Sequence, residues 1–374
     1  MKKTLAIVLA AFMVFAIVAC GSNAPANNTP ANNTPANNPP ANNTPANNTP
    51  ANNAPVNNAP WNPDNIGNHR FVMAHGLAET SMTGQQYHQF AVAVDELSGG
   101  KMRVDERIGG TLVSDTESLD ALLNGSIDFS HGFGPNYSGM MTDISPLTVA
   151  GYYGGDYESW RGFVDESREL LDSIYMENGI KYLGALAQGR SLIINIKHPV
   201  RVPSDVAGMT FRASGTWISK AVQAWGGAAT TVSLADLPDA FSKGAVEGTA
   251  TGLNVIVPFK LYEVCRYVTV AGWTETWGAL VMAGSRWNSL NADEQALLLE
   301  AAKIFEDRCY DMSLDFMESY LKEIEDYGGC EIYVLSDSER QAFVKLSHTV
   351  YAEMEAELGP KGLELASMLK ATVS

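Results

Sequence analysis

Cysteine and histidine are the residues in this chain whose chemistry depends most on spacing, and their spacing excludes most of that chemistry. Cys265, Cys309 and Cys330 stand far apart with no Cys-x-x-Cys pair, and His69, His75, His88, His131, His198 and His348 are equally scattered. No zinc ligand set and no disulfide framework follows; one pair of thiols could bond and leave the third free. His131-Gly132-Phe133-Gly134 has the composition of an oxyanion loop. It lacks the Gly-x-Ser-x-Gly elbow that would supply a nucleophile, and the chain has neither a phosphate loop nor a His-Glu-x-x-His helix. A hydrolase is therefore disfavoured, and no catalytic residue, cofactor or metal is expected. Cys20 is different, because it closes Ile17-Val18-Ala19-Cys20 behind Lys2, Lys3 and an apolar run from Leu5 to Ile17.

That layout is the one found in bacterial lipoprotein signals. A cationic start, an apolar stretch short for a membrane span and small residues before the cut describe a segment removed from the mature protein. Residues 1–19 are expected to be lost, and Cys20 to carry acyl chains that hold the protein on a membrane at roughly 0.8 kcal/mol per buried methylene. The alternative is a plain secretory signal in which Cys20 is incidental. From Ala26 to Pro60 a five-residue unit, Ala-Asn-Asn-Thr-Pro drifting to Val-Asn-Asn-Ala-Pro, repeats seven times without a charge. Such a tract has no apolar bulk to bury, and its prolines remove amide donors and favour extended geometry. Residues 20–62 read as a disordered tether, with some 40 residues reaching on the order of 100 Å at full extension.

The remainder is long enough for two lobes of ordinary size. The formal charge of -17 argues against nucleic acid as a partner, and no second run is long enough to cross a bilayer. The elements alternate. A strand over 69–75 precedes Tyr87, Phe90, Ala91, Val94 and Leu97 at helical spacing, stopped by Gly99-Gly100; a strand over 101–106, a capping box at Ser114-x-x-Glu117 and a strand over 126–130 follow. Strands are predicted again over 180–187, 191–196 and 209–213, a helix over 216–225, and apolar strands over 267–273 and 277–283. A long amphipathic helix over 291–327 opens on Asn291-x-x-Glu294, and Ser336-x-x-Glu339 caps a last one running toward Leu358. Alternation of this kind predicts an α/β fold with a largely parallel sheet and a ligand beyond the carboxyl ends of its strands. The 291–327 helix exceeds what one lobe needs, so it should link both.

From Arg70 to about Leu365 the chain resembles the solute-binding proteins of tripartite ATP-independent periplasmic (TRAP) transporters, of the DctP type. The stretches that carry the resemblance are Leu97-Ser98-Gly99-Gly100-Lys101-Met102, Asn124-Gly125-Ser126-Ile127-Asp128-Phe129, Pro203-Ser204-Asp205-Val206-Ala207-Gly208-Met209-Thr210-Phe211-Arg212 and Gly244-Ala245-Val246-Glu247-Gly248. The third is the most specific. The resemblance implies a two-lobed periplasmic-binding-protein-like fold that closes on a small organic acid and delivers it to a membrane permease. It implies lobe I over 63–189 and 276–312, and lobe II over 190–275 and 313–374. It also implies that Arg212 grips the ligand carboxylate, a role suited to a guanidinium, whose planar fork of donors matches a carboxylate at two points. Arg190 matches a second family arginine near the lobe crossover, with a hinge salt bridge as its alternative role.

First-lobe contacts map near Glu79 to Thr83 and at Phe133. Thr249-Ala250-Thr251-Gly252 departs from the family's common Gln-Glu-Asn-Pro, which makes Thr251 a candidate contact particular to this chain. Trp217, Trp273 and Trp277, with Tyr137 after Phe133, fall near the expected cleft. An aromatic wall there would suit a monocarboxylate with an apolar or ring-bearing remainder; the same tryptophans could equally be core. A ligand-binding lipoprotein that serves a sensory receptor would use the same fold.

Overall fold

The structure is a computed structural model that describes residues 60–149 and 157–372. Cys20, the signal segment and the Asn/Pro tract up to residue 59 lie outside the described residues. In chain order the strands are β1 (His69–Ala74), β2 (Met102–Arg107), β3 (Phe129–His131), β4 (Ile180–Asn195), β5 (Thr210–Arg212), β6 (Ala228–Thr230), β7 (Gly248–Gly252), β8 (Tyr267–Ala283) and β9 (Glu331–Val334). The helices are α1 (Met82–Ser98), α2 (Ser118–Leu123), α3 (Gly134–Tyr137), α4 (Tyr157–Glu177), α5 (Gly215–Ala224), α6 (Leu237–Ser242), α7 (Leu253–Ile256), α8 (Leu261–Val264), α9 (Gly284–Asn288), α10 (Ala292–Tyr327), α11 (Asp337–Glu357) and α12 (Pro360–Ala371).

The strands form one sheet in the order β2-β1-β3-β8-β4-β7-β5-β6, with β9 beside β8. Each end is parallel, β1 with β2 and β3, and β5 with β6 and β7. The middle is antiparallel, because β8 pairs with both β3 and β4, and β4 with β7. The sheet is therefore mixed rather than largely parallel. The two pairs of strands expected over 180–196 and 267–283 are two continuous strands, β4 and β8, that run through both lobes. Their register slips between Ala187 and Arg190 and again before Leu192, so the ladder is irregular where one lobe gives way to the other.

Helix boundaries follow the capping chemistry at several ends. Asn291 and Glu294 form a reciprocal capping box that opens the 36-residue α10, and Ser336 with Glu339 does the same for α11. The Ser114–Glu117 pair forms, but it heads a turn, and α2 begins at Ser118. α12 has no counterpart among the predicted elements. It packs on α4 and on the turn over 142–148, with Leu365 and Leu369 in the same buried cluster as Ile144 and Leu171. The C-terminal residues thus pack against the elements of residues 142–177.

The long helix is held against the sheet by a partly buried carboxylate. Glu306 of α10 accepts from the backbone N–H of Ala185 at 2.7 Å and from Arg168 Nη2 of α4 at 2.7 Å. Burial pushes its carboxyl up, against the pull of Arg168. The adjoining groove, about 600 Å³ between α4 and α10, carries the ion pairs of Arg161 with Asp307 and of Arg168 with Glu306. Cys265, Cys309 and Cys330 are all free thiols, the first two buried.

Candidate functional site

β5 ends at Arg212, paired on one side with Thr230 and on the other with Thr249. The Thr249 hydroxyl donates to the Arg212 carbonyl at 3.1 Å, which fixes the backbone from which the side chain departs. The guanidinium is buried, with Arg212 only 5 % exposed, and its Nε donates to the Val232 carbonyl at 3.0 Å. No ion pair joins it to a carboxylate among the described residues. Burial lowers its pKa from the usual arginine value, with the Asp115 charge pulling the other way, but an arginine in a protein remains a cation. A buried cation held by a single carbonyl is costly unless an anion reaches it.

A cavity of about 30 Å³ adjoins it, lined by Leu77, Asp115, His131, Phe133, Gln188, Arg212, Leu234, Thr251, Asn254 and Val255. These come from both ends of the sheet. His131 ends β3; Gln188 lies where β4 crosses; Thr251 is next to last in β7, opposite Leu192; Asn254 sits in the first turn of α7. The Gln188 side-chain amide hydrogen-bonds His131 Nε2 at 2.9 Å, which fixes the orientation of the ring. Burial, helped by the neighbouring His75, pushes His131 down to about 3. His75 is itself held near 4 by burial, with the Leu77 backbone opposing weakly. The ring of His131 tilts against Phe133 at 5.5 Å and against Tyr87 at 5.6 Å. Gly278 of β8 leaves room for the pair, since a Cβ there would stand 2.9 Å from His131 Nε2.

The lobes touch beside this cavity. At Gly215, with φ of +77°, a Cβ would lie 2.3 Å from the Pro135 carbonyl oxygen, so the start of α5 approaches α3 as only glycine allows. Across the cavity, Asn254 Nδ2 donates to Thr83 Oγ1 at 3.3 Å, tying α7 to α1.

Of the residues singled out by sequence, Arg212, Phe133 and Thr251 meet at this cavity. Thr83 reaches its edge through Asn254. Trp217 and Trp277 are placed elsewhere. Both are buried in one apolar cluster, Trp277 against Trp160, Phe163 and Tyr182, and Trp217 beneath the Lys220 ammonium at 4.4 Å from its ring. Tyr137 belongs to the same cluster, its hydroxyl beside that of Ser118. These aromatic side chains satisfy core packing here, and the aromatic wall reduces to Phe133 among the described side chains. Arg190 and Trp273 stand on β4 and β8, and their side chains fall outside the described part. Asp115, His131, Gln188 and Asn254 carry the polar wall and were not assigned to the ligand by sequence; His131 ends β3 and Asn254 follows β7 by two residues, a strand-end signal that Asp115 and Gln188 lack.

This geometry defines a class: an α/β binding protein whose ligand cavity is assembled between two lobes on a shared sheet. Residues 73–358 match the family described as bacterial extracellular solute-binding protein, family 7, and the chain belongs to it. It is thus a solute receptor for transport and not an enzyme. The chain is 26 % identical over 294 residues to the C4-dicarboxylate-binding protein DctB of Bacillus subtilis, which covers 77 % of this chain and 83 % of that one. Among solved structures, a TRAP periplasmic solute-binding protein from Sulfurospirillum deleyianum with bound succinate superposes with a TM-score of 0.74 at 21 % identity, covering 82 % of this chain and 100 % of that one. The sugar-acid-binding protein DctPAm of Advenella mimigardefordensis, in complex with galactonate, gives 0.76 at 21 % identity over 82 % of this chain and 99 % of that one. None of the described helices is long and apolar enough to cross a membrane.

Proposed function

We propose that this protein is the lipid-anchored receptor of a TRAP transporter, and that it captures a small organic acid by pairing its carboxylate with Arg212. The observation that carries the reading is a buried guanidinium with no described carboxylate paired to it, beside a cavity lined from both lobes. Lobe I comprises 63–189 and 276–312 and lobe II 190–275 and 313–359, with α12 returned to lobe I. Closure about the crossover of β4 and β8 presents the loaded form to the permease. It is favoured only to the extent that the ligand's contacts differ between open and closed forms. Relatives that bind succinate, galactonate and C4-dicarboxylates support an organic acid.

Thermal unfolding with a panel of organic acids and their uncharged amides tests the ligand class. An acid at 100 times its dissociation constant should add about 2.7 kcal/mol of stability, and its amide much less. Amides that stabilise as well as their acids would remove the carboxylate from the reading. The anchor is tested separately: Cys20→Ser should move the protein from the membrane fraction to the soluble one, and a variant that stays with the membrane would show that the thiol is incidental.

A further inference from the structure

Cys265 and Cys330 are 65 positions apart in the chain and neighbours in the fold. Cys265 follows α8 just ahead of β8, and Cys330 stands just ahead of β9, the strand that pairs in parallel with the start of β8. The Glu331 N–H donates to the Arg266 carbonyl at 2.7 Å, so the ladder holds the two segments side by side from their first residues. Neighbouring strands run about 4.8 Å apart, inside the roughly 4.4–6.8 Å over which a disulfide bridges α carbons. Cys330 Sγ lies 3.2 Å from the Cys265 carbonyl oxygen and 3.3 Å from that of Tyr262. Both side chains belong to one apolar cluster, Cys265 within it and the half-buried Cys330 packed against it. A thiol is a weak donor, so the two carbonyls hold the Cys330 sulfur only loosely. Gly328, at φ of +68°, and Gly329 precede it and leave its backbone free to be re-aimed.

We infer that Cys265 and Cys330 form a disulfide in the exported protein, joining the root of β8 to the segment that leaves α10. The family is extracellular, and disulfides form and persist in such oxidising surroundings. The oxidant is a disulfide-bearing carrier of that compartment. The Cys330 thiolate attacks one sulfur of the carrier's disulfide, forming a mixed disulfide and releasing the carrier's first thiolate. The Cys265 thiolate then attacks Cys330 Sγ, which closes the bond and releases the second. The carrier takes up the two electrons, and its two thiolates take up the two protons that the cysteines give up. Burial pushes both thiols up, so the exchange belongs to the folding chain, before Cys265 is covered. Cys309, 1 % exposed on α10, takes no part.

Peptide mapping of the whole exported protein, alkylated and denatured before any reductant is added, decides the matter. The Cys265 and Cys330 peptides should be joined to each other and Cys309 should carry the alkyl label. Reduction should lower the melting temperature by about 5 °C, because the bond closes a long loop of chain. Cys330→Ser, at a half-buried position, should abolish that shift, and Cys309→Ser should retain it. Should Cys309→Ser not fold, the peptide map carries the test. Alkyl label on both Cys265 and Cys330 without reduction, a bond that uses Cys309 or a second molecule, or a melting shift that survives in Cys330→Ser overturns the assignment.

Discussion

Arg212→Ala should weaken binding of the acid by about 2 to 5 kcal/mol, since the ligand's carboxylate would then be buried without its counter-charge. The geometry makes this a clean experiment. Arg212 forms no ion pair with a described carboxylate, and the one bond it gives up within the protein is the one from Nε to the Val232 carbonyl. Thr249 bonds to the Arg212 backbone and not to its side chain, so the strand end is retained in the variant. Arg212→Lys should recover only part of the loss, because an ammonium cannot reproduce a planar fork of donors. Titration of both variants reads the effect directly; unchanged affinity in the alanine variant would place the carboxylate elsewhere.

The second large effect is on stability in acid. His75 and His131 are buried and neutral, with pKa values near 4 and 3, while the unfolded chain protonates them near the ordinary value of 6.5. Above that value both states are neutral and the histidines contribute no pH dependence. As the pH falls below it, the unfolded state takes up protons that the folded state refuses, so stability declines from about pH 6.5 toward the folded values. By pH 4 each histidine has cost about 3 kcal/mol, together a large part of the 5–15 kcal/mol that holds a typical protein folded. The groups that face them are Tyr87 of α1, Gln188 of β4 and Phe133, with Arg212 and Asp115 across the same cavity. No described carboxylate pairs with either ring to rescue the charged form. Urea midpoints measured from pH 7 to pH 4 should fall steeply, and His75→Gln or His131→Gln should each remove about half of the histidine contribution. A slope identical in wild type and both variants would show that the rings titrate without coupling to folding.

Much of this molecule is local and could be read along the chain. The capping boxes at Asn291 and Ser336 mark α10 and α11 because a side chain that bonds three residues ahead needs nothing from the rest of the fold. Arg212 was legible through the Gly208-Met209-Thr210-Phe211-Arg212 stretch on which the family resemblance rests. Two strands expected on either side of residues 188–190 proved to be one, since Gly189 and its neighbours interrupt hydrophobic alternation and slip the register without ending the strand. Trp217 and Trp277 were ambiguous for a different reason. An apolar aromatic near a strand end looks the same whether it packs in the core, as Trp277 does against Trp160, or faces a ligand.

By itself the amino-acid sequence determined the order and kind of the main elements, the expectation of an exported, tethered domain, and the placing of one arginine where strands end. Only the tertiary structure decided what surrounds that arginine. Gln188 meets His131 across 57 positions and Asn254 meets Thr83 across 171, in contacts that no periodicity records. The reason is physical: helix and strand patterns express interactions within a few residues, whereas a cavity between lobes is made by the register of β4 and β8 and by the packing that folds distant strand ends together.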